Sequence, residues 1–135
     1  MNLKELSQYY WLCKEIELDT ERLKKLEIKA GSAHAQRITG MPRGGNGSQD
    51  RIGDYAAEIV DLQAIIAAKR IQCIHERQRI ERFITGIPDS QTRILFTLRF
   101  IEFRKWSDVA ARAGGSATEF TARQIVSRYL RNKKK

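Results

Sequence analysis

The chain has 135 residues, is 41% hydrophobic and 30% charged, and carries a formal net charge of +9. That length fits one compact domain, or a small domain with an extended arm. Apolar runs of only a few residues exclude a bilayer-spanning helix, and the opening MNLKELSQYY lacks the charged and apolar regions of a signal peptide, so a cytoplasmic protein is expected.

The charge is unevenly placed. Residues 1–91 hold 14 Lys/Arg against 13 Asp/Glu, whereas residues 92–135 hold 11 against 3. A near-neutral arm joined to a basic segment points to a polyanion as the partner of that segment.

In chain order, Leu3, Leu6, Tyr9, Tyr10, Cys13, Ile16, Leu23 and Leu26 recur mostly at spacings of 3, 4 or 7, the period of one face of a helix. Asp19 and Thr20 interrupt that stripe. The segment TGMPRGGNGSQD, with four glycines and a proline, predicts a turn, and residues 40–50 form a Gly-rich loop. A second stripe follows at Tyr55, Ile59, Leu62, Ile66, Cys73, Ile80 and Phe83 or Ile84. Each stripe covers roughly 30 residues, about 45 Å of helix at 1.5 Å rise per residue. Together they predict an antiparallel, coiled-coil-like helical hairpin over residues 1–86. Trp11, Leu12, Leu18, Ile65 and Ile71 lie off the seam and are expected to meet another chain or the C-terminal domain.

Pro88 opens a different pattern. Asp89 or Ser90 can cap a helix whose apolar face is Ile94, Leu95, Leu98, Phe100 and Ile101. EFRK ends it. Trp106, Val109, Ala110 and Ala113 give a short second helix its apolar face, and Gly114–Gly115 stops it, because glycine takes the left-handed conformation that follows a helix C-terminus. SATE at Ser116–Glu119 reads as a capping box with Ser116 at the cap, Thr118 competing for that position. A third helix, about 117–131, buries Ala122, Ile125 or Val126, and Tyr129. Trp106 and Tyr129 are read as core.

The expected fold is all-α: a long N-terminal hairpin over 1–86, serving interaction or dimerisation, then a three-helix helix-turn-helix domain over 87–135. Such a domain reads DNA when a scaffold helix braces a short second helix and a tight turn sets the third helix steeply into the major groove. Thr121, Arg123, Gln124, Ser127 and Arg128 fall off the apolar face of the third helix and are the base-reading candidates. Arg and Gln can make two parallel hydrogen bonds to a purine edge. Arg104, Lys105, Arg112, Arg131, Lys133, Lys134 and Lys135 are assigned to phosphates, which set register without reading sequence.

Enzymatic chemistry finds no support. GMPRGGNG lacks the GK[ST] ending of a phosphate-binding loop. Cys13 and Cys73 stand 60 residues apart without CxxC spacing and read as reduced core thiols, while His34 and His75 are isolated, so no metal or other cofactor is expected. Arg43, in the Gly-rich loop, is read as part of a mobile hairpin tip.

LRFIEFRKWSDVAARAGG, Leu98–Gly115, resembles region 4 of bacterial sigma-70 factors, with Lys105 standing where that pattern has a serine cap. Over nearly all 135 residues the chain is similar to small phage and prophage proteins of Gram-positive bacteria that join a helical hairpin, a GMPxGG loop and a sigma-region-4-like C-terminus. GMPRGG at Gly40–Gly45, IPDSQTR at Ile87–Arg93 and LRFIE at Leu98–Glu102 carry the match. That group is similar to autolysin-regulator and RinA-type phage transcriptional regulators. The resemblance implies a phage-type regulator of late or packaging genes in a bacterial host; the basic helix-turn-helix segment makes double-stranded DNA the expected partner, and the exposed residues along the N-terminal hairpin predict a homo-oligomer formed through it, with a dimer favoured. An adaptor for bacterial RNA polymerase and a small terminase-like packaging subunit are the alternatives.

Overall fold

The computed structural model describes the backbone of residues 1–38 and 47–133, with side chains at 1–33 and 52–133. The GMPRGG loop, Arg43, Lys134 and Lys135 lie outside the described residues, as does the side chain of His34. All the described elements are helical: α1 (Leu3–Ile38), α2 (Gly47–Thr85), α3 (Ser90–Phe96) running directly into a π-helical turn (Thr97–Ile101), α4 (Trp106–Ala113) and α5 (Glu119–Lys133). Among the described residues, no helix is long and apolar enough to cross a membrane.

Local chemistry sets the helix ends. At the start of α1, the Asn2 side chain accepts from the Glu5 N–H at 2.9 Å and the Glu5 carboxylate accepts from the Asn2 N–H at 2.9 Å, a reciprocal capping box. Asp89 caps α3 by accepting from both the N–H and the hydroxyl of Thr92, at 2.9 and 2.7 Å. Of the two cap candidates there, Asp89 therefore holds the position. Arg93 fastens the same turn by donating to the Ile87 carbonyl and the Ser90 hydroxyl. The SATE capping box does not form. Gly114 and Gly115 both sit at positive φ, 74° and 68°, and carry the chain past Ser116 before α5 begins. Thr118 caps α5 instead, its hydroxyl accepting from the Thr121 N–H at 3.1 Å.

The chain divides into two compact units, Met1–Cys13 with Gln72–Lys135, and Lys14–Ile71. This cut differs from the expected one between residues 86 and 87, because the ends of the hairpin share a core with α3–α5. In that unit Leu6 and Tyr9 of α1, Ile80 and Ile84 of α2, and Ile87 close over Leu95, Phe96, Val109 and the buried face of α5. A segment of fewer than 50 residues buries too little apolar surface to be secure alone, so borrowed side chains complete it. Phe96 is fully buried and meets Phe83, Phe100 and Tyr129 at centroid distances of 5.8, 5.4 and 5.7 Å. Sequence periodicity placed Ile94 on this face and passed over Phe96. The structure reverses them: Ile94 is 48% exposed, and the face is centred on Leu95 and Phe96.

Also in this unit, the Sγ atoms of Cys13 and Cys73 lie 3.3 Å apart as free thiols. Burial, and then contact with Cys13, pushes the Cys73 thiol up to about 11.

The second unit is held by a smaller cluster in which Leu23 and Leu26 of α1 pack with Tyr55, Ile59, Leu62 and Ile66 of α2. Asp19, which broke the apolar stripe, accepts from Lys69 at 2.6 Å, and Glu15 adds a second contact at 3.2 Å. The Thr20 hydroxyl turns back to the Ile16 carbonyl. Of the off-seam residues, Trp11, Leu18, Ile65 and Ile71 are exposed, but Leu12 is buried.

Two predictions follow from the caps. Thr118→Ala lowers unfolding stability by about 1 kcal/mol in chemical denaturation, whereas Ser116→Ala leaves it nearly unchanged. The Thr92 hydrogen bonds hold the Asp89 carboxyl below its ordinary value of 3.8. Its contribution is complete above that value and is lost as pH falls through the depressed folded one. Asp89→Asn is therefore expected to lose stability at neutral pH and to show a shallower decline than wild type on acidification below about pH 4.

Candidate nucleic-acid interface

The helix α5 has two contrasting faces. Ala122, Val126 and Leu130 are buried, with Ile125 and Tyr129 partly buried beside them. Their spacing of four residues keeps all three on one side of the helix. Leu130 belongs to this face, although the sequence reading stopped at Tyr129. On the other side, Thr121, Arg123, Gln124, Ser127, Arg128 and Arg131 are exposed. An open groove along this outer side is lined by Phe120, Arg123, Gln124, Ser127, Arg128 and Arg131.

The polar side chains of that face are not equally occupied. Gln124, Ser127, Arg128 and Arg131 take no side-chain hydrogen-bond or ion-pair partner among the described residues. Thr121 shares its hydroxyl with Thr118 at 2.8 Å. Arg123 pairs with Glu119 one turn back at 3.3 Å, both side chains being more than half exposed. A solvent-exposed pair of this kind contributes only about 0–1 kcal/mol, so a stronger anion can displace Glu119.

Trp106, the first residue of α4, sits at the inner edge of the same surface. Its ring packs against the core, and the guanidinium carbons of Arg99 and Arg123 lie 4.9 and 5.9 Å from its centroid. Arg99 donates to the Arg104 carbonyl at 2.9 Å. Burial, and then the nearby Arg123 charge, pulls the Arg99 guanidinium below its ordinary value. Two cations against one indole favour an anion beside them, and Arg99 was not singled out by sequence. Its position in the π-helical turn, beneath α4, is set by tertiary packing and leaves no periodic signal. Phe120 was missed for another reason: it is 69% exposed, so it satisfies no core pattern.

The expected phosphate contacts divide. Arg104 is committed to two carboxylates, Glu102 at 3.1 Å and Asp108 at 2.8 Å, with only 27% of its side chain exposed. Asp108, followed by Glu102, raises the Arg104 guanidinium further, while Arg104, followed by Arg112, holds the Asp108 carboxyl below its usual range. Arg104 thus braces the start of α4, where Lys105 provides no side-chain cap. Asp108 supplies the negative charge that a helix N-terminus favours. Arg112 reaches Asp108 only at 3.6 Å and remains 55% exposed. Lys105 is exposed, as is Lys133, whose ammonium lies 6.0 Å from the Tyr129 ring. Lys4, outside the sequence-based set, borders Ser127 and Arg131 from the start of α1.

No group of three or more metal-ligating side chains occurs among the described residues.

The two faces of α5 separate stability from surface chemistry. Leu130→Ala is expected to cost about 2–4 kcal/mol in denaturant titration through the cavity it leaves. Gln124→Ala and Arg128→Ala are expected to stay within about 0.5 kcal/mol of wild type.

Comparison with protein-family models, with curated proteins and with solved structures finds no match, so the geometry of these helices carries the functional reading.

Proposed function

We propose that this protein is a DNA-binding transcriptional regulator of phage or prophage type. In this reading α4, the turn at 114–118 and α5 work as a helix-turn-helix, with α5 entering the major groove. The observation that carries it is the outer face of α5. Gln124, Ser127, Arg128 and Arg131 project from a helix whose opposite face is locked into the core, and they have no protein partner among the described residues. Long donors held on a rigid element and left unsatisfied suit a partner that supplies acceptors.

The chemistry is that of base-edge and phosphate recognition. Arg123, Gln124 and Arg128 supply the bidentate donors that distinguish purine edges, with Thr121 and Ser127 as shorter contacts. Arg123 exchanges Glu119 for its DNA acceptor. Lys105, Arg112, Arg131 and Lys133 hold the flanking phosphates, and Arg104 acts by bracing α4. Each neutralised phosphate releases counterions, so affinity falls steeply with salt.

The test is a titration of duplex DNA at two salt concentrations, with random duplex and with duplex from the protein's own genomic neighbourhood. A site bound well above the random background is expected. Arg123→Ala with Gln124→Ala is expected to abolish that preference while leaving the fold intact. Deletion of Lys133–Lys135 is expected to weaken both DNAs alike and to flatten the salt dependence. Absence of binding to either DNA at low salt would overturn the reading.

A further inference from the structure

Two thiols that the DNA reading does not use face each other across α1 and α2. Cys13 lies one turn beyond Tyr9 on α1, and Cys73 lies two turns before Ile80 on α2. Tyr9 and Ile80 are core residues, and both cysteines pack against that core. All four belong to the same compact unit. The Sγ atoms of the two cysteines are 3.3 Å apart, although 60 positions separate them in the chain. Neither is sealed in, since each side chain is only half-buried.

Two features separate this pair from cysteines that merely fill a core. The first is proximity. A disulfide holds its sulfurs at about 2.0 Å, so the pair is about 1.3 Å from bonding distance, a gap within the reach of side-chain rotation. The second is polar company. The Tyr9 hydroxyl contacts Cys13 and Arg77, and the Arg77 charge favours the thiolate of Cys73. Burial, and then contact with Cys13, act the other way and keep Cys73 a thiol at neutral pH. A cation beside partly accessible sulfur is the setting of reactive cysteines, whereas fully buried ones are inert.

We propose that Cys13 and Cys73 form a modification site, a dithiol that a small disulfide oxidant converts to an intramolecular disulfide joining α1 to α2. With glutathione disulfide as the oxidant, the exchange balances in two steps. One cysteine thiolate attacks glutathione disulfide, giving a mixed disulfide and one glutathione thiolate. The other cysteine thiolate then attacks the protein sulfur of that mixed disulfide and releases the second glutathione. Two electrons pass to glutathione, and the two protons of the cysteine thiols end on the two glutathione thiols. Reduced glutathione reverses both steps, so the bond follows the surrounding thiol–disulfide ratio and is not a permanent staple. Because the fold already holds the two sulfurs together, the native chain favours the bond more than the unfolded chain does.

The test uses the full chain in glutathione redox buffers without DNA, so its outcome is separate from that of the DNA reading. In excess glutathione disulfide both free thiols are expected to disappear, with the mass of a single chain less two hydrogens. Trypsin digestion without reductant is expected to release residues 5–14 joined to residues 71–77, the peptides that hold Cys13 and Cys73. In denaturant the same equilibrium is expected to lie at least about tenfold nearer the dithiol. Cys13→Ser and Cys73→Ser, each checked for unchanged helical circular dichroism, are expected to form no intramolecular bond. Free thiols that survive excess glutathione disulfide, or glutathione adducts that persist on either cysteine, would overturn the proposal. So would a bond between two chains, or an equilibrium indifferent to denaturant.

Discussion

The core around Phe96 is the constraint on which the C-terminal helices depend. Three short helices cannot exclude water from one another over so few residues. They are completed by Leu6 and Tyr9 from the start of the chain and by Ile80 and Ile84 from the end of α2. Ridges on α5 that would otherwise be half-wet are thereby closed, and Val126 is left only 1% exposed. The helix that presents the outward Arg and Gln side chains packs its inner face against α3 and α4, in a core that also takes in Leu6 and Tyr9 from the start of the chain.

The link between α3 and α4 shows what that closure demands locally. The π-helical turn at Thr97–Ile101 shifts the helix register, and Phe103 then adopts φ 58°, a left-handed conformation costly for a bulky side chain. The Phe103 ring packs against Tyr9 at 5.1 Å and Tyr10 at 5.2 Å. Aromatic contacts with α1 offset backbone strain, and the chain turns sharply enough for Arg104 to reach both Glu102 and Asp108. π-turns and strained residues recur where a fold must aim a side chain. Here they aim Arg99 at Trp106.

Basic residues in this region have different roles, although the sequence writes them alike. Arg104 is neutralised by two carboxylates and serves the fold. Arg123 is held loosely by one exposed acid and can be released. Arg128 and Arg131 have no internal partner among the described residues. The excess positive charge of the last third of the chain is therefore not uniform. It is concentrated where the cations are not already spent on neighbours, along the outer side of α5.

What the sequence determined by itself was whatever depends on near neighbours in the chain. Helical period, the break at Pro88, the Gly114–Gly115 stop, the candidate cap at Asp89 and the polar outer face of α5 all follow from spacings of a few residues, because backbone hydrogen bonding and helix geometry act over that range. Tertiary structure decided the rest. It chose Thr118 over Ser116, since two successive left-handed glycines set where α5 can begin. It exchanged Ile94 for Phe96, because burial depends on which side the hairpin root covers. It brought Cys13 to Cys73, Arg99 to Trp106 and Lys69 to Asp19, contacts between separate helical elements whose pairing no single helical stripe specifies. It also left Val60 and Ile71 uncovered: a helical stripe marks an apolar face, and only packing reveals whether anything in the same chain fills it.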